Sequence, residues 1–352
     1  MTTPAKRKPV CRLAPSPTGA QHLGNARTFL LAYWSARAQA AELILRIEDI
    51  DSPRVKPWAT DQVIEDLTWL GIEYDGDPLI QTERTELYRN VLDRMIADDR
   101  VYPCTCSRSD IETASSAPHE SSGPQRRATA RPTSQANSPA GDATSAQAPP
   151  QRSLPAESTI YPGTCSGWQL GDPLPEEVTY CWRFRSNPSH QSFTDLVVGT
   201  VGCQPATAIG DFPVTRKEGP AAYQLAVVVD DIQAGVSEVV RGDDLLLSTF
   251  RQMQIYEYLD RPTPRYAHVP LVVGADGRRL AKRHGDTRLS HYRDQGVAPE
   301  SIVSWAARSA MSDLNSLPSP GETADWNLSR WHAEMIARLE WSQLSPDQVR
   351  YP

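Results

Sequence analysis

The sequence predicts an α/β protein built around a doubly wound parallel sheet, with an insertion in its middle and a short helical end. Three observations lead there. Short apolar runs alternate with stretches of helical periodicity through the N-terminal part of the chain, the pattern of strand–helix–strand units. The first strand runs into a glycine-containing break followed by a helix, the place where open parallel sheets hold ligands. Residues 113–158 are nearly free of large apolar side chains, so they cannot bury enough surface to offset their ordering entropy.

Residues 9–14 (PVCRLA) read as a short buried strand, and PSPTG at 15–19 breaks the chain. Ala26, Phe29, Leu30, Tyr33 and Trp34 recur at helical spacing and predict a helix over 24–40. ELILRI at 42–47 reads as a second buried strand, and amphipathic helices are expected over 59–70 and 84–99. Residues 113–158, rich in Ser, Ala, Pro, Thr and Gln, are expected to be disordered. Strand-like runs return between 178 and 216, in VTYCWRFRS, FTDLVVGTV and DFPVTR. Residues 223–274 hold a helix, the strand EVVR and a longer helix over 243–259. The stretch after about residue 297 is helical and short, with no interpretable motif. Residues 1–100 and 183–296 are thus expected to form two halves of one Rossmann-like, doubly wound domain. An insertion at 101–182 separates them, and 297–352 is a C-terminal region.

Composition narrows the function. The chain has 352 residues, 39% of them hydrophobic, enough for a substantial core. No run of about 18 apolar residues exists, so no membrane span is expected. The basic start (Lys6, Arg7, Lys8) is not followed by an apolar stretch, which argues for a cytoplasmic protein rather than a secreted one. A net charge of −7 weighs against a uniformly basic nucleic-acid binder, but only the local surface decides such binding. Six cysteines are too few and too unevenly spaced for a disulfide scaffold. The close pair Cys104 and Cys106 points to metal instead.

The stretch from Arg12 to Arg27 (RLAPSPTGAQHLGNAR) suits phosphate binding. A strand ends, Gly19 and small residues let a ligand approach the backbone, and a helix begins near Leu23 and Gly24. Its N-terminus offers amides and partial positive charge to an anion. His22 stands at the junction as a donor, and Arg12 and Arg27 add fixed charge. LRIEDIDSPR (45–54) places acidic groups and two arginines at the end of a buried strand, where they need partners or a ligand. GRRLAKRHG (277–285) is a cationic loop suited to a triphosphate and departing pyrophosphate.

Together these strings resemble the class I aminoacyl-tRNA synthetases in their glutamyl form. RLAPSPTGAQHLGNAR is similar to the family's first motif, with His22, Leu23, Gly24 and Asn25 as its core and Asn25 where the family has His. LRIEDIDSPR matches its LRIEDTDxxR string. AAYQLAVVVDDIQAGVSEVVRGDDL (221–245) is similar to its amino-acid pocket segment. Arg279, Leu280, Ala281, Lys282 and Arg283 stand where the family has its lysine-bearing second motif, with Arg and Ala replacing Lys and Ser.

The resemblance implies activation of L-glutamate by ATP and Mg2+ as glutamyl-adenylate. Arg12, Leu13, Ala14, Pro15, Ser16, Glu48, Tyr223 and Arg241 would bind glutamate, Glu48 through its α-ammonium. His22, Gly24, Asn25 and Lys282 would bind ATP, with His22 and Lys282 catalytic. Asp49, Asp51, Arg54, Asp230 and Asp231 are expected to be structural.

Cys104, Cys106 and Cys165 form a set of three thiols for tetrahedral Zn2+ across the insertion. On general grounds His119, Cys181 or a water could complete it. The glutamyl-queuosine branch of the family resembles this chain in C-x-C followed by Y-x-x-x-C, which implies Tyr161 as fourth ligand. The insertion here is longer than that branch leads one to expect. Only about 70 residues follow Arg283, too few for the helical anticodon-binding region of a full glutamyl enzyme. The resemblance therefore implies a monomer that transfers glutamate to queuosine in tRNA(Asp). A minimal enzyme charging tRNA(Glu) and an inactive tRNA- or glutamate-binding paralogue are the alternatives.

Overall fold

The computed structural model describes residues 8–50, 54–116, 154, 157, 159–217, 219, 221–274, 276–277, 286–311, 317–345 and 347–350. The loop with Arg279, Leu280, Ala281, Lys282 and Arg283 lies outside them, as do Asp51, His119 and most of 113–158.

In chain order the first half contains β1 (Val10–Leu13), α1 (Leu23–Ala38), β2 (Glu42–Ile47), α2 (Ala59–Trp69), β3 (Leu79–Ile80) and α3 (Thr85–Ala97). There follow β4 (Val101–Cys104), α4 (Arg108–Ser116), β5 (Cys181–Phe184), β6 (Gln191–Asp195), β7 (Gly199–Cys203), α5 (Pro205–Ala208) and β8 (Phe212–Pro213). The second half contains α6 (Tyr223–Ala234), β9 (Glu238–Gly242), α7 (Leu246–Tyr258), β10 (Arg265–Val269) and β11 (Val272–Val273). Helices α8 (Leu289–Asp294), α9 (Pro299–Ala310) and α10 (Leu328–Arg338) and the strand β12 (Val349–Arg350) complete it.

The expected parallel sheet is present, in the order β10-β9-β1-β2-β3. β1 pairs with β2 from Val10 opposite Glu42 to Leu13 opposite Leu45, and with β9 at Cys11 opposite Glu238. The chain builds outward from β1 in one direction through β2 and β3 and in the other through β9 and β10. That reversal opens a crevice at the carboxyl ends of β1 and β9.

α1 is buried almost all round, including Phe29, Leu30, Leu31 and Trp34, as a helix covered on both sides must be. The sheet lies on one side; α9 and α10 pack on the other. Ile302, Val303, Ala306, Trp331 and Met335 join the same core as Leu13, Leu43 and Leu45. The C-terminal stretch therefore shares the core of the parallel sheet and is not an appendage.

β4, β5 and β8 form an antiparallel sheet, and β6 and β7 a hairpin. The boundary expected at residues 182 and 183 falls inside β5. The inserted antiparallel layer thus continues to Pro213. The start of the segment expected to be disordered, residues 113–116, is the last turn of α4.

Candidate active site

The carboxyl ends of β1, β2 and β9 meet at one cavity of about 820 Å³. β1 contributes Arg12 and Leu13, and the chain leaving it contributes Ala14, Pro15 and Ser16. Glu48 follows β2, Arg241 lies near the end of β9, and Tyr223 opens α6. His22, Gly24 and Asn25 enter from the start of α1. Apart from Arg27, every residue within the described chain that was expected to meet glutamate or the nucleotide lines the same space.

Charges buried around this space are paired, as their desolvation requires. Arg46 is fully buried and donates to Asp231 at 2.5 Å and to Glu48 at 3.0 Å. Burial opposes its charge, but Asp231, Glu48 and Asp230 together raise its pKa. Asp231 also lies 3.9 Å from Arg12 Nε. Asp230 accepts from Gln81, Arg84 and Tyr88 at 2.8, 2.7 and 2.9 Å. Both aspartates thus hold the arginines in place, the structural role the sequence suggested. Asp49 likewise accepts from the Thr82 amide and hydroxyl.

Arg12 donates from Nη1 to the Val240 carbonyl at 3.1 Å, while its buried Nε makes no hydrogen bond. Burial pushes the Glu48 carboxyl up, against the pull of Arg46 and Arg12. The Tyr223 phenol is also raised, first by burial and then by Glu48, so it stays protonated. The cavity wall thus combines two buried guanidinium groups, a buried carboxyl and a phenol donor.

His22 is the N-cap of α1. Its Nδ1 accepts from the Gly24 amide at 3.2 Å, and Asn25 Oδ1 accepts from the His22 amide at 3.1 Å. An accepting Nδ1 leaves Nε2 as the donating edge of the neutral ring. Asn25, which stands where the family has His, serves as half of this reciprocal cap. The leading amides of α1 were expected to be available to an anion. Instead Leu23 donates to the Thr287 carbonyl at 3.0 Å and Gly24 to His22.

Arg27 also departs from expectation. It is buried away from the cavity, donating to Ser309 Oγ at 2.9 Å, the Ser309 carbonyl at 3.2 Å and the Pro270 carbonyl at 3.1 Å. Its charge is a packing device rather than a ligand contact.

Lys282 lies outside the described residues, but described residues on either side of it in sequence meet the cavity or the first motif. Val272, ahead of it, lines the cavity. Behind it, Leu289 donates to the Gln21 carbonyl at 2.9 Å and Thr287 accepts from Leu23.

The sulfurs of Cys104, Cys106 and Cys165 lie within 4.8 Å of one another. Cys106 and Cys165 are 3.7 Å apart, close to the ~3.8 Å edge of a tetrahedron with Zn–S bonds of about 2.3 Å. Cys104 Sγ lies 3.5 Å from the Tyr161 hydroxyl. Cys104 is held down at about 4 by Cys181, Tyr161 and Arg183, whose Nε donates to it at 3.2 Å. Burial, with Cys104 and Cys165 beside it, instead pushes the Cys106 thiol up to about 11, so it is the spacing and softness of the three sulfurs that fit zinc. Cys181 is paired across the strands with Cys104 but lies outside the three-sulfur cluster.

Sequence reasoning missed the polar groups behind Arg241. Asp195, Thr249, Gln252 and His268 are all buried. Their only signal in the sequence was polar residues within otherwise apolar strands and helices.

The family model "tRNA synthetases class I (E and Q), catalytic domain" matches residues 8–147 and 172–322. A chain from Rhodopirellula baltica called "Glutamyl-Q tRNA(Asp) synthetase" is 56% identical over 340 residues, covering 95% of this chain and 94% of that one. One of the same name from Symbiobacterium thermophilum is 41% identical over 352 residues, covering 97% and 95%. A solved glutamate-tRNA synthetase from Elizabethkingia anophelis has a TM-score of 0.73 at 22% identity, over 98% of this chain and 68% of that one. This last likeness speaks for the fold alone. With the family model covering most of its length and two such relatives matching it almost end to end, this chain belongs to the class I tRNA synthetases (E and Q), as a form of their catalytic domain.

Proposed function

We propose that the enzyme activates L-glutamate with ATP as glutamyl-adenylate, without needing tRNA, and passes the glutamyl group to the cyclopentenediol of queuosine in tRNA(Asp). The observation that carries this is the convergence of Arg12, Arg241, Glu48 and Tyr223 on one cavity beside His22. Glutamate brings two carboxylates and one ammonium. Two guanidinium groups and a phenol complement the carboxylates, and Glu48 complements the ammonium. The names of the two near-full-length relatives support the choice of tRNA(Asp).

In the first step an α-carboxylate oxygen attacks the α-phosphorus of ATP, and the bond to pyrophosphate breaks. The nucleophile is already ionised, so no general base is needed. The protein's task is to align two anions and to spread charge in the transition state. His22 donates from Nε2 to a phosphate oxygen. Lys282 meets the departing pyrophosphate. Mg2+ enters with the triphosphate as its counter-ion. In the second step a cyclopentenediol hydroxyl attacks the acyl carbon and AMP leaves. Cys104, Cys106, Cys165 and Tyr161 would hold Zn2+, which ties β4 to the segment entering β5 and serves the fold. The substrates are cytoplasmic, and we assign the enzyme to that compartment, acting as a monomer.

The test is glutamate-dependent ATP–pyrophosphate exchange without tRNA, followed by transfer of labelled glutamate to tRNA(Asp) with and without queuosine. Exchange, and transfer only to the queuosine-bearing tRNA, are expected. Transfer to the 3′ end of tRNA(Glu) instead would make the chain a minimal glutamyl-tRNA synthetase. No exchange would leave an inactive binding paralogue.

A further inference from the structure

Arg241 is held from behind by neutral acceptors. Its Nε donates to His268 Nε2 at 3.1 Å, Nη1 to Gln252 Oε1 at 2.8 Å, and Nη2 to Thr249 Oγ1 at 2.8 Å and, at 3.5 Å, to the Leu245 carbonyl. The Tyr266 ring lies 5.3 Å from the guanidinium carbon. His268 is fully buried on β10, with Nδ1 2.6 Å from Asp195 Oδ2 at the end of β6. Asp195 is buried too. Its Oδ1 accepts from the amides of Val197 and Val198, both at 2.9 Å, and its Oδ2 from the His268 amide at 3.1 Å.

These contacts fix the proton on the ring. The Nε of arginine can only donate, so His268 Nε2 must accept. A neutral imidazole then carries its proton on Nδ1, where Asp195 receives it. Burial pushes His268 down to about 4, against the opposing pull of Asp195, so the ring is neutral at ordinary pH.

We propose that Asp195 and His268 are positioning residues for the amino-acid site: Asp195 selects the His268 tautomer that presents an acceptor to Arg241, and so aims the guanidinium without neutralising it. This rests on the assignment of Arg241 to a carboxylate of glutamate. A carboxylate touching Arg241 directly would aim it equally well but would compete with the substrate for its charge. An imidazole between the two supplies the acceptor and keeps the negative charge one ring away.

Asp195→Asn tests the relay with little change of shape. The amides of Val197 and Val198 keep the amide oxygen of the new side chain, which turns its NH2 toward His268 Nδ1. That donor forces Nδ1 to accept and moves the ring proton to Nε2, where it opposes the Arg241 N–H and turns to Thr249 Oγ1, 3.0 Å away. His268→Gln offers an amide oxygen near the Nε2 position. In ATP–pyrophosphate exchange, D195N is expected to raise the KM for glutamate about tenfold or more, while kcat and the KM for ATP stay within about threefold. H268Q should raise the glutamate KM less than D195N does, because its amide oxygen can still meet the Arg241 N–H. Nitrogen NMR of the parent should place the His268 proton on Nδ1, with the resonance assigned by its loss in H268Q.

An unchanged glutamate KM in D195N overturns the relay. So does a parent ring protonated at Nε2, a result that needs no variant to fold. A parent without glutamate-dependent exchange would defeat the assigned substrate instead, and the NMR result would then judge the relay separately.

Discussion

Neutralising Glu48 separates binding of the amino acid from upkeep of the fold. Glu48→Gln keeps an amide oxygen where Arg46 donates at 3.0 Å. Arg46 also retains Asp231 at 2.5 Å and Asp230 at 4.0 Å, so its buried charge stays compensated. What is lost is the full negative charge that the proposed function sets opposite the α-ammonium, in a site where Glu48 is 8% exposed. A hydrogen bond to a charged partner is worth roughly 1.5–3 kcal/mol, and each 1.4 kcal/mol is about tenfold in affinity. The glutamate KM should therefore rise by roughly 10–150-fold, with the KM for ATP and the melting temperature little changed.

The pH dependence follows from the direction of the Glu48 shift. Burial raises its pKa, and only the ionised form receives the ammonium. In the parent the glutamate KM should fall as pH rises through the Glu48 titration, and E48Q should lack that limb. Exchange kinetics at several pH values measure both. A glutamate KM that is unchanged in E48Q, or a pH limb that survives the substitution, would remove Glu48 from the amino-acid site.

Four further outcomes are expected. His22→Ala and Lys282→Ala should each slow ATP–pyrophosphate exchange by about 100–1000-fold, the usual loss for one transition-state donor. Gly24→Ala would set a Cβ 3.1 and 3.2 Å from the His22 ring; exchange should fall about tenfold or more while circular dichroism shows an intact helix, since Ala favours helix over Gly. Metal analysis should find zinc bound to the parent and lost in Cys106→Ser and Cys165→Ser, with a lower melting temperature that chelation of the parent reproduces. His332 joins α10 to α1 and to the end of α2, accepting from Trp34 Nε1 at 2.9 Å and donating to the Leu70 carbonyl at 2.9 Å. Burial lowers its pKa from the ordinary 6.5, so the unfolded chain binds the proton first. Stability should then decline as pH falls below about 6.5, and His332→Ala should lose this slope along with roughly 2–4 kcal/mol of stability.

Local pattern was legible wherever neighbouring residues decide the structure. ELILRI reads as a strand because both faces of β2 are covered, and it forms as expected. The helix expected at 24–40 begins one residue earlier because His22 caps it. The helix expected at 243–259 begins with a 3-10 turn at Asp243–Leu245 before α7. The cavity residues were legible because their strings are long. Distant pairings were not. Nothing near Arg27 announces Ser309, and nothing near Trp34 announces His332. Asp195 and His268 lie in strands whose alternation allows a polar residue to face solvent, and only the packing of β6 against β10 turns both inward.

The grip of Arg27 on Ser309 has a practical consequence for anyone trimming this enzyme. A product stopped soon after the second motif would carry every reactive side chain in its primary structure. It would also take both Ser309 contacts from the buried Arg27, leaving it the Pro270 carbonyl, and strip the outer cover from the helix that His22 caps. The smallest working unit therefore extends well past its last recognisable signature, and fusion partners belong beyond α10 rather than before α9.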